Sequence, residues 1–498
     1  MQVRSPVVLS VDQGTTGTRA IIYGAGGKVL ASAYQEFRQH YPVPGWVEHD
    51  ALEILQTSSR VMGRALRDAR IRPARVAAIG ITNQRETTVM WDRQTGVPVG
   101  RAIVWQDRRT APMCAALRER GAEPVFRRKT GLVLDPYFSG TKIAWMLRHI
   151  PGLRRRAVAG KILFGTIDAW LLWNLTGGVT HATDMTNASR TLLFDIHEKK
   201  WDRELMRLLD VPEALMPRVI SSGEIAGTTS GAGDLPKGIP VAAILGDQQA
   251  ALYGHGCYGM GEAKNTYGTG CFMMIHAGRK VPKVPHGLLA TMACDIHGKP
   301  AYALEGAVFT AGAAIQWLRD GLKFFKRSRD SEALALKVRD TGGVVMIPAL
   351  TGLGSPYWNP NVRGVIAGLT RGTRIEHVVR AALEAIAQQT ADVFEKVENG
   401  SPFRLRTLRV DGGATENRFL MQFQADLLGV PVLVSDLAES TAWGVAKLAG
   451  HTVGLWADPE KLDRERRYFR YRPRMERSRA TALRAAWKHQ VRRLLSEF

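Results

Sequence analysis

The chain has 498 residues, 45% of them hydrophobic and 23% charged, an ordinary globular composition whose length points to two domains rather than one core. No run of about 20 apolar residues occurs, the apolar stretch before Asp12 is too short for a signal peptide, and four scattered cysteines lack a C-x-x-C pair; this argues against a membrane span, a secretory leader, and a zinc or disulfide framework, and for a reducing cytoplasm. The net charge is +22, and residues 461–494 hold 13 Lys or Arg against 3 Asp or Glu. Nucleic-acid binding is one reading of that basic tail. However, Leu483, Ala486, Trp487, Val491, Leu494 and Leu495 recur at helical spacing, so a packed terminal helix with a solvated basic face is expected instead.

In chain order, "VVLSVDQGTTGTRAIIY" comes first. Val7, Val8, Leu9 and Val11 read as a buried strand, and Ala20 to Tyr23 resume the apolar run. The turn between them carries a carboxylate, hydroxyls and an arginine. It is either a polar hairpin or a loop whose N–H and hydroxyl groups cradle phosphate, with Asp12 facing a divalent cation. In "VAAIGITNQRETTVMWD" a strand, Val76 to Ile81, meets a polar turn and a second apolar run to Trp91. Arg85-Glu86 in that turn reads as a solvated ion pair or as a pair lining a polar pocket for adjacent hydroxyls. Trp105 fits a core position or a flat wall for a small carbon chain. The run "IPVAAILGDQQAALYG" is a buried strand ending at Leu245, with Gly246-Asp247 opening a helix.

"GHGCYG" at 254–259 formally matches a dinucleotide fingerprint, but it follows a helix and reads as a turn. The glycine-rich region 253–261 is a candidate hinge. A second strand–turn–strand, "AKNTYGTGCFMMI", echoes the first and suggests two related halves sharing a cleft. The helix opening near "TRGTRIEHVV" is expected to start at a cap on Thr373 with Glu376 completing the box. In "LRVDGGATENRFLMQFQADLLGVPVLV" strand, glycine turn, helix and strand follow, with Gly429 stopping the helix. No P-loop and no protein-kinase motif set occurs. Three glycine turns, 12–19, 267–270 and 411–417, therefore remain as a nucleotide site at strand ends.

Taken together, "DQGTTGTR", "GITNQRETT", "AIVWQDRRT", "GLVLDPYFSGTK", "TNASRT", "GDQQAAL", "KNTYGTGCFM", "ALEGAVFTAGAAIQWLRD", "PALTGLGSPYW" and "RVDGGATEN" resemble the FGGY carbohydrate-kinase family, and within it the members that phosphorylate glycerol. The similarity runs from about residue 7 to residue 455. It implies an α/β fold of two ribonuclease-H-like domains, as in actin, hexokinase and Hsp70, around a central nucleotide cleft. Residues 1–254 would hold the polyol pocket and phosphate turn. Residues 255–498 would hold the adenine-nucleotide side and end in the basic amphipathic helix.

The implied reaction is ATP-dependent phosphorylation of glycerol to sn-glycerol 3-phosphate, the first step of glycerol utilisation. The implied polyol pocket is Arg85, Glu86, Trp105, Tyr137, Asp247, Gln248 and Phe272, with Asp247 as catalytic base. Thr15, Thr16, Gly17, Arg19, Thr269, Gly312, Gln316, Gly413 and Asn417 would surround ATP, and Asp12 and Asp247 would face Mg²⁺. A homodimer or homotetramer is implied, with no membrane or nucleic-acid partner. A kinase of another polyol or sugar, or a nucleotide-binding regulatory paralogue, is the alternative. Departures stand out: Gly17 where relatives carry serine, Trp443 where smaller residues are usual in the nucleotide-side core, and Gly238 where bisphosphate-regulated members carry a basic residue.

Overall fold

Val7, Val8, Leu9 and Val11 are all essentially inaccessible to water, so the first apolar run becomes a central strand, β1 (Val7–Gln13). The computed structural model describes residues 5–231, 234–437 and 439–497. Strand β1 pairs antiparallel with β2 (Gly17–Tyr23), which sets Asp12 opposite Arg19. After β3 (Val29–Glu36) and helix α1 (Ala51–Asp68), β4 (Val76–Asn83) lies parallel to β1. The hairpin strands β5 (Gly227–Ser230) and β6 (Lys237–Gly246) complete a six-stranded sheet in the order β5-β6-β4-β1-β2-β3. Gln13 and Gly246 both register on Asn83. Three chain segments therefore leave the sheet at one edge, where α/β ligands bind.

Helix α2 (Asp247–Gly254) starts at that edge. A second sheet follows, built from β7 (Ala263–Tyr267), β8 (Cys271–Gly278), β9 (Leu289–Cys294), β10 (Pro300–Val308), β11 (Leu408–Asp411), β12 (Val432–Ser435) and β13 (Tyr468–Tyr471). Its order is β9-β10-β8-β7-β11-β12-β13. Thr266 of β7 registers on Asp411 of β11, so the turns 268–270 and 412–413 also share an edge. Two mixed sheets with helices between strands match the expected α/β architecture. Gly238 has φ +95°, a left-handed conformation that a side chain there would strain.

The halves are joined by α2 and by a helix, α6, late in the second half. Helix α3 (Gly312–Asp320) follows β10, the long α4 (Ile375–Gly400) precedes β11, α5 (Arg418–Leu428) precedes β12, and α6 (Ser440–Thr452) follows it. Gly254 of α2 and Gly444 of α6 face each other so closely that a Cβ on either would overlap a carbonyl oxygen of the opposite helix.

Three sequence expectations change. Trp443 is not in the core of the nucleotide-side sheet: it packs on Tyr23 (centroids 5.3 Å apart) and Trp456 (5.6 Å), in a cluster with Val8, Ile21 and Ala78 of the first sheet. Helix α4 starts at Ile375, not under a Thr373–Glu376 box. The Thr373 hydroxyl accepts from the Thr370 N–H (2.9 Å), and the His377 ring accepts from the Arg374 N–H (3.0 Å). The terminal helix α7 (Arg477–Leu495) buries Trp487, Val491 and Leu494 as expected, but Ala486 is exposed. Arg484 takes an inward position instead, bonded to Asp392 (2.5 Å) and Glu395 (2.7 Å). The four cysteines are free and buried. Among the described residues no helix is long and apolar enough to cross a membrane.

Candidate active site

The tip between β1 and β2 is closed by the Gly14 N–H donating to the Gly17 carbonyl at 2.9 Å. Gly17 has a packing reason: a Cβ there would stand 2.6 Å from the ring of Tyr34 on β3. Arg19 lies over that same ring at 5.0 Å and pairs with Glu439 at 3.1 Å. Glycine at 17 thus leaves room for the Tyr34 ring that lies under Arg19. Burial first, and then the Glu439 and Asp247 carboxylates, push the Asp12 carboxyl up to about 8, with Arg19 opposing. Like charges gathered around a half-buried carboxyl suit a divalent cation, and Mg²⁺ takes one or two carboxylates beside phosphate oxygens and water. Asp12 and Asp247 fit that need.

Asp247 opens α2 directly off β6. Its carboxylate accepts from the Gln248 N–H (2.6 Å) and lies 3.1 Å from Arg85 Nε, with about a third of the side chain (32%) open to solvent. Arg85 and Glu86 are not a solvated pair, since each side chain is only 2% exposed, and their own separation is 3.9 Å. Each is held by a different partner. Arg85 donates to Glu305 (2.6 and 3.3 Å), to Gln249 (3.2 Å) and to the Tyr137 hydroxyl (3.5 Å). Glu86 accepts from Arg190 Nε at 2.6 Å, and Arg190 also donates to Glu305 at 2.8 Å. Two cations and two anions therefore close a neutral buried quartet. Burial alone would raise Glu305, but Arg190 and Arg85 outweigh it and hold the carboxyl near 2.

Trp105, Tyr137 and Phe272 form the apolar wall: Trp105 meets Tyr137 edge-on at 5.5 Å and Phe272 at 6.3 Å. The indole N–H of Trp105 donates to the Thr15 hydroxyl at 2.9 Å. Gln248 is half-buried and bonded through its side-chain oxygen to Lys264 of β7. Burial lowers that lysine to about 8.

On the opposite side, the exposed Thr269 uses its carbonyl to accept from the N–H groups of Ala311 (2.9 Å) and Ala313 (3.1 Å). The Gly312 N–H donates to the Gly268 carbonyl at 3.0 Å, an approach that a Cβ at 312 would block. Gln316 points outward from α3. Asn417 caps α5, its side-chain oxygen accepting from the Leu420 N–H at 2.9 Å. Gly413 lines a cavity of about 1090 Å³ with Phe419, Phe469 and Tyr471. Thr269, Gly312, Gln316 and Asn417 lie outside that lining.

Sequence reading missed Glu305, Arg190, Lys264 and Glu439. For Glu305 a signal existed, as the one carboxylate in the otherwise apolar strand "AYALEGAV", and a charge in such a run needs a buried partner.

Two family models match the chain: the N-terminal domain of the FGGY family of carbohydrate kinases over residues 7–254, and its C-terminal domain over residues 263–453. A protein named glycerol kinase 2 from Thermotoga maritima is 52% identical over 495 residues, 98% of each chain. A glycerol kinase from Alkalilimnicola ehrlichii is 53% identical over 486 residues, again 98% of each. Among solved structures, Plasmodium falciparum glycerol kinase with ADP superposes with a TM-score of 0.92 at 34% identity, covering 99% of this chain and 98% of that one. A gluconate kinase from Lactobacillus acidophilus, at 20% identity and TM-score 0.88, shares the fold. With both family models matched in order and full-length relatives at about half identity, the chain belongs to the FGGY family of carbohydrate kinases.

Proposed function

We propose that the protein transfers the γ-phosphoryl group of ATP to a terminal hydroxyl of glycerol, giving sn-glycerol 3-phosphate and ADP. The observation that carries this reading is the Asp247 carboxylate, about a third open to solvent and set between the buried Arg85 quartet and the Asp12 turn. Near-full-length relatives named glycerol kinase support the choice of polyol.

In this reading Arg85, Glu86, Tyr137 and Gln248 take the glycerol hydroxyls, while Trp105 and Phe272 cover its carbon chain. Asp247 orients the attacking hydroxyl and takes its proton. Phosphoryl transfer passes through a loose transition state, so positioning and charge stabilisation do most of the catalysis. Thr15, Thr16, Gly17 and Arg19 on one side, and Thr269, Gly312, Gln316, Gly413 and Asn417 on the other, surround the nucleotide with N–H, hydroxyl and guanidinium donors. Asp12 and Asp247 would hold Mg²⁺, which when bound offsets negative charge on the phosphates. We place the boundary between the two units at 254/255, the chain in the cytoplasm on the strength of its four free thiols, and the working form as a homodimer or homotetramer.

The test is Asp247→Asn, assayed by coupled ADP release with Mg–ATP and glycerol. General-base help is typically worth about 10²–10⁴-fold, so turnover should fall about a hundredfold or more while calorimetry still detects glycerol binding. Near-normal turnover would remove Asp247 from the role.

A further inference from the structure

Trp105 belongs to the apolar wall of the polyol pocket, yet its one polar atom is spent elsewhere. The indole N–H donates to Thr15 Oγ1 at 2.9 Å, in the turn that faces phosphate. The ring that carries this N–H is fixed from two further sides. Tyr137 meets it edge-on at 5.5 Å, and Phe272 at 6.3 Å stands two residues past the tip of the second glycine turn. Its backbone is fixed too: the Trp105 N–H donates to Thr87 Oγ1 (3.3 Å), and that hydroxyl donates to the Gln84 side chain (3.0 Å). Trp105 therefore links Tyr137 of the polyol wall, Thr15 of the first phosphate turn and Phe272, two residues beyond the second turn.

A threonine hydroxyl has one proton to give and two lone pairs. With the indole N–H occupying a lone pair, the Thr15 proton is turned away from Trp105. The carbonyl of Thr15 is already taken by the Gln39 side chain at 2.9 Å, which fixes the backbone carrying that hydroxyl. We propose that Trp105 is a positioning residue for phosphoryl transfer: its indole N–H sets the Thr15 hydroxyl as a donor toward the transferring phosphoryl group, coupling the wall of the polyol pocket to the phosphate turn. The inference rests on the kinase reading above and adds to Trp105 a duty that an apolar wall alone does not have.

Trp105→Phe keeps an aromatic wall and removes the donor. With the fold checked by thermal melting, kcat should fall about tenfold, the scale of one misdirected hydrogen bond, while KM for glycerol stays within about threefold. Thr15→Val removes the acceptor. In that background Trp105→Phe should lower kcat no further, because the two residues act as one unit. Thr15→Ser, which keeps the acceptor, should retain the full sensitivity to Trp105→Phe. A Trp105→Phe variant that raises KM for glycerol at unchanged kcat would overturn the inference, as would losses that multiply in the double variant. Failure of the wild-type protein to turn over glycerol at all would instead overturn the kinase reading on which the inference stands.

Discussion

Glu305 lies in the middle of β10 with no exposed surface, and both of its oxygens are used by guanidinium groups. A buried ion pair adds little net stability against an apolar replacement, but removing one partner leaves a charge uncompensated and costs about 3–5 kcal/mol. Glu305→Gln should therefore destabilise by an amount of that order, read by chemical denaturation. Because Arg85 loses its bidentate anchor, KM for glycerol should rise about tenfold while KM for ATP moves little. An equal rise in both constants would mean that the quartet supports the fold and not the polyol pocket. At this scale the sequence was readable where a residue's role follows from its immediate neighbours. Asp12 and Asp247 each end an apolar strand and open a turn or helix, which placed both at a sheet edge. Arg190 was not readable, and Glu305 only as a carboxylate in need of some buried partner, because the partners themselves lie 115 and 220 residues from Glu305 and no local pattern identifies them.

Elements tell the same story one level up. The three glycine turns were legible as strand–turn units, and the parallel registers of β1 with β4 and β7 with β11 explain why they reach shared edges. The packing partner of helix α6 was not legible: it leaves the second sheet and covers the first, which is why Trp443 was assigned to the wrong core. The same crossing places Gly444 against Gly254 with no room for a methyl group. Gly444→Ala must push α2 and α6 apart, and overpacking of this kind costs typically about 1–3 kcal/mol. Since Asp247 opens α2 and Glu439 precedes α6, the variant should also lose kcat, by about tenfold, in the ADP-release assay. A variant of normal activity and melting temperature would mean that the helices tolerate separation there.

Across the whole molecule, the contacts that build the site join the two halves of the chain. Arg85 and Arg190 meet Glu305, Arg19 meets Glu439, Gln248 meets Lys264, and Trp105 meets Phe272. Neither half contains the candidate site alone, so domain arrangement and chemistry are one property of the fold. The +22 charge, prominent in the sequence, turned out partly structural: Arg484 and Arg190 are buried and paired, so composition overstated how much of it faces solvent. The proposed fit of this joint site to a three-carbon polyol is tested by kcat/KM of the wild-type enzyme with Mg–ATP across glycerol, longer polyols and pentoses. Glycerol is expected to exceed every other acceptor by at least about tenfold, whereas a pentose or longer polyol matching or exceeding it would contradict the assignment of Arg85, Glu86, Trp105, Tyr137 and Phe272 to glycerol.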